Sequence, residues 1–269
     1  MRSDMTLDAK ARRLLAALAD RYETESFLEG DPSCFMHRVS GDANREATAF
    51  VAASLSFGAR SQFLPKVQWI IDRAGGDVDG WIRAGRFERD VPPDAARPFY
   101  RFFTYATMNS FFRAYRRLME DFGTLGAFVA AEAHGDAVQA VAAICRAFRE
   151  RGDEGVVPKD AHSACKRVCM FLRWMVRTGS PVDIGLWADA IDRRTLVVPM
   201  DTHVVQEARR LGLLKSATAS MASARRLTAA LAEAFPDDPC RGDFALFGLG
   251  VMGGKPAAIA TEEREKSRE

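Results

Sequence analysis

The sequence predicts an all-α fold, on three observations. Apolar residues recur at helical spacing along most of the chain, glycines and cap residues punctuate the helical stretches, and only one short segment has strand character. Along residues 7–22, Leu7, Ala11, Leu14, Leu15, Leu18 and Tyr22 share one helix face. The stretch 43–57 is helical and stops at Gly58, where a left-handed residue can end it. Ser61 is placed to cap the next helix, which Gly75-Gly76 closes, and Asn109 to cap a helix closed by Gly123. Residues 136–152 and 220–235 read as two more helices. HSACKRVCMFLRWMVR (162–177) reads as a helix beginning near Ser163, with Lys166 in its first turn. Asp201 precedes a short amphipathic helix whose apolar face includes Val204, Val205, Ala208 and Leu211. Residues 152–160 and 181–200 are the main connectors. Leu196-Val197-Val198 looks strand-like, but three residues do not make a sheet. The tail 256–269, ending in TEEREKSRE, is expected to be disordered.

A chain of 269 residues, 48% hydrophobic, can bury one large core or two small lobes. It has no apolar run long enough to cross a bilayer and no signal-peptide pattern at its N-terminus, so no membrane partner is expected. Five cysteines (Cys34, Cys145, Cys165, Cys169, Cys240) are few and odd in number, which argues against a disulfide framework and for a reducing, cytoplasmic setting. The net charge of +2 is small but unevenly spread. Between Lys159 and Arg226 stand twelve Lys or Arg against six acids, a local +6 that leaves −4 for the remainder. That asymmetry suits a polyanion bound to one region, and equally a solvated cationic surface.

Within the basic stretch, Lys166, Arg173 and Arg177 share a helix face by their spacing. His162, Cys165 and Cys169 share another and could begin a zinc site, but no fourth ligand is in view and Cys169 reads as core, so no metal is expected.

VPMDTHVVQEARRLGLL (198–214) resembles the segment of endonuclease III and adenine-mismatch glycosylases in which Pro-x-Asp-Thr-His-Val opens a helix. The chain is thereby identified as similar to the helix-hairpin-helix (HhH-GPD) DNA glycosylase superfamily. The resemblance implies a two-lobed all-α fold with a cleft between lobes, one formed by about 40–178 and the other by 1–39 plus 179–255. It implies Asp201 as catalytic carboxylate and Lys166 as Schiff-base lysine. The 35-residue interval between them is closer to the archaeal 8-oxoguanine glycosylases than to endonuclease III. DPCRGDFALFGLG (238–250) resembles the superfamily's closing helix, and the block from SACKR to PxDTHV is similar to a bacterial family of uncharacterised glycosylase-like proteins. The function implied is base excision from damaged duplex DNA with AP-lyase activity and no cofactor. Two departures stand out. The Leu-Pro-Gly-x-Gly hairpin is replaced by PKDAHSACK, so the amides of Ser163, Ala164 and Cys165 would have to meet the phosphate instead. Only Cys240 lies near the C-terminus, so no iron–sulfur cluster is expected.

The chemistry fits these residue types. A lysine attacks only as the neutral amine, which Arg167 and a helix N-terminus would favour electrostatically, while a carboxylate can accept its proton and stabilise a cationic sugar. The target nucleotide must leave the duplex for a pocket in the cleft. Candidate DNA contacts are Ser163, Arg167, Arg173, Arg177 and His203, with Arg60 and Gln62 from the loop FGARSQF, where the superfamily carries a Gln-bearing loop. Trp187 and Trp174 are candidates for stacking on a flipped base, Arg209 and Arg210 for phosphate contact. The aromatic run 98–112 reads as core. Two alternatives stay open: a DNA- or RNA-binding protein of the same fold without chemistry, and a protein-interaction module.

Overall fold

The computed structural model describes residues 7–216 and 218–251. The expected disordered tail lies outside them. The described chain is mainly helical: α1 (Ala9–Tyr22), α2 (Cys34–His37), α3 (Asp42–Leu55), α4 (Arg60–Ala74), α5 (Val78–Arg83), α6 (Phe87–Asp90), α7 (Tyr105–Phe122), α8 (Leu125–Glu132), α9 (Ala137–Glu150), α10 (Lys166–Val176), α11 (Thr202–Arg210), α12 (Met221–Leu231) and α13 (Arg241–Val251). Between α6 and α7 a small antiparallel hairpin pairs β1 (Pro98–Tyr100) with β2 (Phe103–Thr104). Strand character thus falls in the aromatic run, and not at Leu196-Val197-Val198, which is buried backbone without a ladder partner. Among the described residues no helix is long and apolar enough to cross a membrane.

Side-chain caps set many of the helix starts. Asp8, Asp136, Asp201 and Ser220 each accept a backbone N–H from the first turn of α1, α9, α11 and α12. Two predicted caps are displaced. Helix α4 begins at Arg60 after Ala59, one residue before Ser61. Helix α7 begins four residues before Asn109 and is capped by Thr104. Asn109 is instead buried, its amide donating to Val91 O at 2.7 Å and Glu88 Oε2 at 3.0 Å.

Nearly all the buried apolar residues form one continuous cluster from Leu7 to Leu249. At its centre Phe50 of α3 lies 4.9–5.7 Å from the rings of Phe111, Tyr115, Phe148 and Phe171, joining α7, α9 and α10. Around it, α3 packs with α2, α4, α5 and α10, while α13 packs with α1 and α11. One turn before Phe50, the buried Glu46 carboxylate accepts the N–H groups of Leu125 (2.9 Å) and Gly126 (3.0 Å) at the start of α8, and the indole N–H of Trp187 (2.9 Å). Burial pushes the Glu46 carboxyl above the usual carboxylate range despite these donors.

Candidate active site

A cleft of about 620 Å³ opens where five segments meet. Residues 27–32 and the α3–α4 turn contribute Phe27, Phe57 and Arg60. The start of α10 contributes Cys165, Lys166 and Arg167. The start of α11 contributes Asp201 and His203, and α13 contributes Asp243 and Phe247.

Its centre is one ion pair. Lys166 Nζ lies 3.1 Å from Asp201 Oδ2, with the two side chains 33% and 22% exposed. The other oxygen, Asp201 Oδ1, accepts the Val204 N–H at 2.9 Å and caps α11. Capping holds the carboxylate still while its second oxygen faces the amine. Lys166 is the first residue of α10, where the chain has just passed through Cys165 in the left-handed region (φ 44°), so the helix starts three residues later than Ser163.

Arg167 is largely buried beside the cleft. Its Nη1 donates to Ser54 O at 2.5 Å, and its guanidinium lies 5.1 Å from the Phe57 ring and 5.9 Å from Phe103. Burial pulls its pKa below the ordinary arginine value. Nearby Asp153 accepts the N–H groups of Gly155, Val156 and Val157, and burial pushes its carboxyl to about 6. Arg60 pairs with Asp31 at 3.2 Å and lies 5.3 Å from the Phe247 ring. Ser163 and His203 are exposed at the cleft wall.

Of the other predicted residues, Arg173 touches the cleft wall from the core and the rest lie outside the lining. Arg173 and Arg177 are buried, so the phosphate contacts expected of them are not available. Arg173 Nε donates to Asp183 at 3.2 Å and its Nη1 to Asp243 at 2.5 Å. Arg177 pairs with Asp183, with Glu23 at 2.7 Å and with Asp238 at 2.8 Å, and the Phe244 ring lies against both guanidiniums. Although burial opposes it, Arg177 and Arg241 hold Glu23 below the usual carboxylate range. Burial wins at Asp183, whose carboxyl is pushed up, and at Asp243, pushed up to about 6. The network ties α10 to α1, α13 and the 183 loop, so it braces both sides of the cleft.

Trp187 is also core. Its indole N–H is held by Glu46 and its ring meets Phe171 edge-on at 5.0 Å, which removes it as a stacking surface. Trp174 is fully buried. Gln62 is exposed on α4 outside the cleft lining. Arg209 is exposed, and Arg210 pairs with Glu207 at 2.7 Å. The zinc pattern does not assemble, because its spacing assumed a helix through 162–165: His162 is exposed, while Cys165 and Cys169 turn inward to Asp160 O and Ala164 O.

Sequence reasoning missed the aromatic lining. Phe27, Phe57 and Phe247 are half-buried on the cleft walls, and Asp243 and Phe247 face it from one turn of α13, a pairing readable as i,i+4 spacing. It also missed the hairpin. Phe102, at the β1–β2 turn, is 69% exposed and stacks on Phe57 at 5.0 Å, beside Arg101 in the left-handed region. The aromatic run is therefore core except at this tip.

A family model described as "Protein of unknown function (DUF2400)" matches residues 31–252. No curated protein and no solved structure gives a match.

Proposed function

The chain belongs to the DUF2400 family, and from its cleft we propose that it is a DNA base-excision glycosylase with AP-lyase activity, of the two-lobed HhH-GPD kind. The observation that carries this reading is the Lys166–Asp201 pair at 3.1 Å inside a cavity of about 620 Å³. The cavity suits a single nucleotide turned out of a duplex, with Phe27, Phe57 and Phe247 offering ring faces to a base. Arg60, Arg167 and His203 bring donors to the same walls.

In this reading Asp201 Oδ2 accepts a proton from Lys166. The neutral amine then attacks the sugar C1′, the C1′–N bond to the base breaks, and the ring opens to an imine on Lys166. Loss of a C2′ proton expels the 3′-phosphate, and water releases the lysine. Asp201, fixed by its cap on α11, passes that proton to the departing base.

Borohydride trapping tests the reading. Duplexes carrying oxidised purines, oxidised pyrimidines, uracil or an abasic site should give a covalent protein–DNA band that Lys166→Ala abolishes and Lys159→Ala leaves. No band on any duplex would remove the lyase step. The segment before α10, which lacks the glycine hairpin, favours a second reading as a DNA- or RNA-binding protein without chemistry. Salt-dependent duplex binding without base release would select it.

A further inference from the structure

Three acids line the cleft, and each is taken by a cation. Asp31 pairs with Arg60 at 3.2 Å, Asp201 with Lys166 at 3.1 Å, and Asp243 with Arg173 at 2.5 Å. The lining holds a fourth cation, Arg167, and it forms no ion pair among the described residues. Its Nη1 donates to Ser54 O at 2.5 Å, while Nε and Nη2 have no hydrogen-bond partner among those residues. Asp153 attracts it from beyond ion-pair distance. Both oxygens of that carboxylate are turned to amides, Oδ1 to Val156 and Oδ2 to Gly155 and Val157.

Aromatic rings stand where a counter-ion is missing. The guanidinium of Arg167 lies 5.1 Å from the Phe57 ring and 5.9 Å from Phe103. Such contacts offset only part of the cost of burying a charge. The Phe57 ring has a second guanidinium 5.9 Å away, that of Arg101 on the β1–β2 turn, also without an ion pair among the described residues. This wall of the cleft is therefore positive, and an anion inside the cavity would relieve it.

The rest of the lining indicates which anion. Phe27, Phe57 and Phe247 present rings to a base, and the Lys166–Asp201 pair stands where the sugar would lie. The remaining part of a nucleotide is phosphate, and the unused Nε–Nη2 edge of a guanidinium matches two phosphate oxygens side by side. We propose that Arg167 binds a phosphate of the nucleotide that enters the cleft. That this phosphate belongs to a DNA strand rests on the glycosylase reading; the anion site does not, since a free nucleotide offers the same group.

The test uses the full-length protein in phosphate-free buffer and thymidine 3′,5′-bisphosphate, which has both phosphates of a turned-out nucleotide, with thymidine as control. The bisphosphate should raise the melting temperature with concentration, and thymidine far less. In Arg167→Met its affinity should fall about 10- to 100-fold, the loss of charge-assisted hydrogen bonds. Arg167→Lys, which keeps the charge but not the fork, should fall between. Without ligand, Arg167→Met should melt no lower than wild type, because it removes a charge that nothing pairs. In a second arm, binding to a duplex with an abasic site should lose about one unit of slope in log affinity against log salt. If neither the bisphosphate affinity nor that slope depends on Arg167, the site is overturned. Marked destabilisation of ligand-free Arg167→Met also overturns it and makes Arg167 a brace for Ser54. A loss confined to the bisphosphate upholds the site with free nucleotide as its source, and a loss confined to the duplex upholds it with a strand. Neither arm uses borohydride trapping, so the glycosylase reading stands or falls separately.

Discussion

The two ends of α10 carry cations at helical spacing, and their fates are opposite. At the C-terminal end, Arg173 and Arg177 share four carboxylates, from Glu23, Asp183, Asp238 and Asp243, and neither reaches solvent. At the N-terminal end, Lys166 has one carboxylate and a cavity in front of it. Periodicity treats these cations alike. Partner number and access to open space separate them: a cation with more acids than it can neutralise is bracing, and one with a single acid beside a cavity is free to exchange it.

The sharpest way to break this contrast is at Asp201. Asp201→Asn keeps an oxygen for the Val204 N–H but loses the proton acceptor, so on the proposed glycosylase reading base release should fall about 10²–10⁴-fold with the fold intact. Asp201→Ala should lose the same activity and about 1 kcal/mol of stability, read by urea denaturation. Equal stability of the two variants would show that the cap contributes nothing.

At the other end, Arg177→Met should cost about 3–5 kcal/mol by leaving Asp183, Asp238 and Glu23 uncompensated. Lys166→Met should change stability by less than about 1 kcal/mol, because its pair is half open to water. Similar losses in denaturant midpoint would erase the distinction.

Asp243 sharpens the comparison through pH. Its folded carboxyl holds a proton up to about 6 against an ordinary value of 3.8. Between those values the folded state binds a proton that the unfolded chain lacks, so this group's contribution to stability falls as pH rises through the window. At about 1.4 kcal/mol per unit, the fall amounts to about 2–3 kcal/mol. Asp243→Asn should lack it, and its stability relative to wild type should therefore climb from pH 4 to pH 6. Parallel curves would contradict the assignment.

The smallest effect belongs to the hairpin. Phe102→Ala should weaken duplex binding by about 1–3 kcal/mol if its ring stacks on a base. Thermal stability should stay within about 0.5 kcal/mol, since the side chain is mostly exposed.

What could be read from sequence was local. The main helices and the Asp201 cap follow from short motifs and spacing, the pairing of Lys166 with Asp201 follows from the resemblance, and all three stand in the structure. What could not be read depends on residues far along the chain. Arg177 finds Asp238 61 positions away and Glu23 154 away, Arg173 finds Asp243 70 away, and Trp187 finds Glu46 141 away. No helical pattern reports that a distant acid will arrive. Phe102 was hidden for the opposite reason: its neighbours in sequence are core, and only the tight turn turns it out.

That turn is built against the α3–α4 corner. Tyr100 donates its hydroxyl to Phe57 O, and Gly58 leaves the space that a Cβ would take from Arg101 and Tyr100. Phe102 is clamped on Phe57 before anything arrives. Its ring surrenders its rotational freedom when the chain folds, so a nucleobase landing on it would have only its own disorder to lose. Association at this tip should therefore show a milder entropy penalty than docking on a mobile aromatic loop.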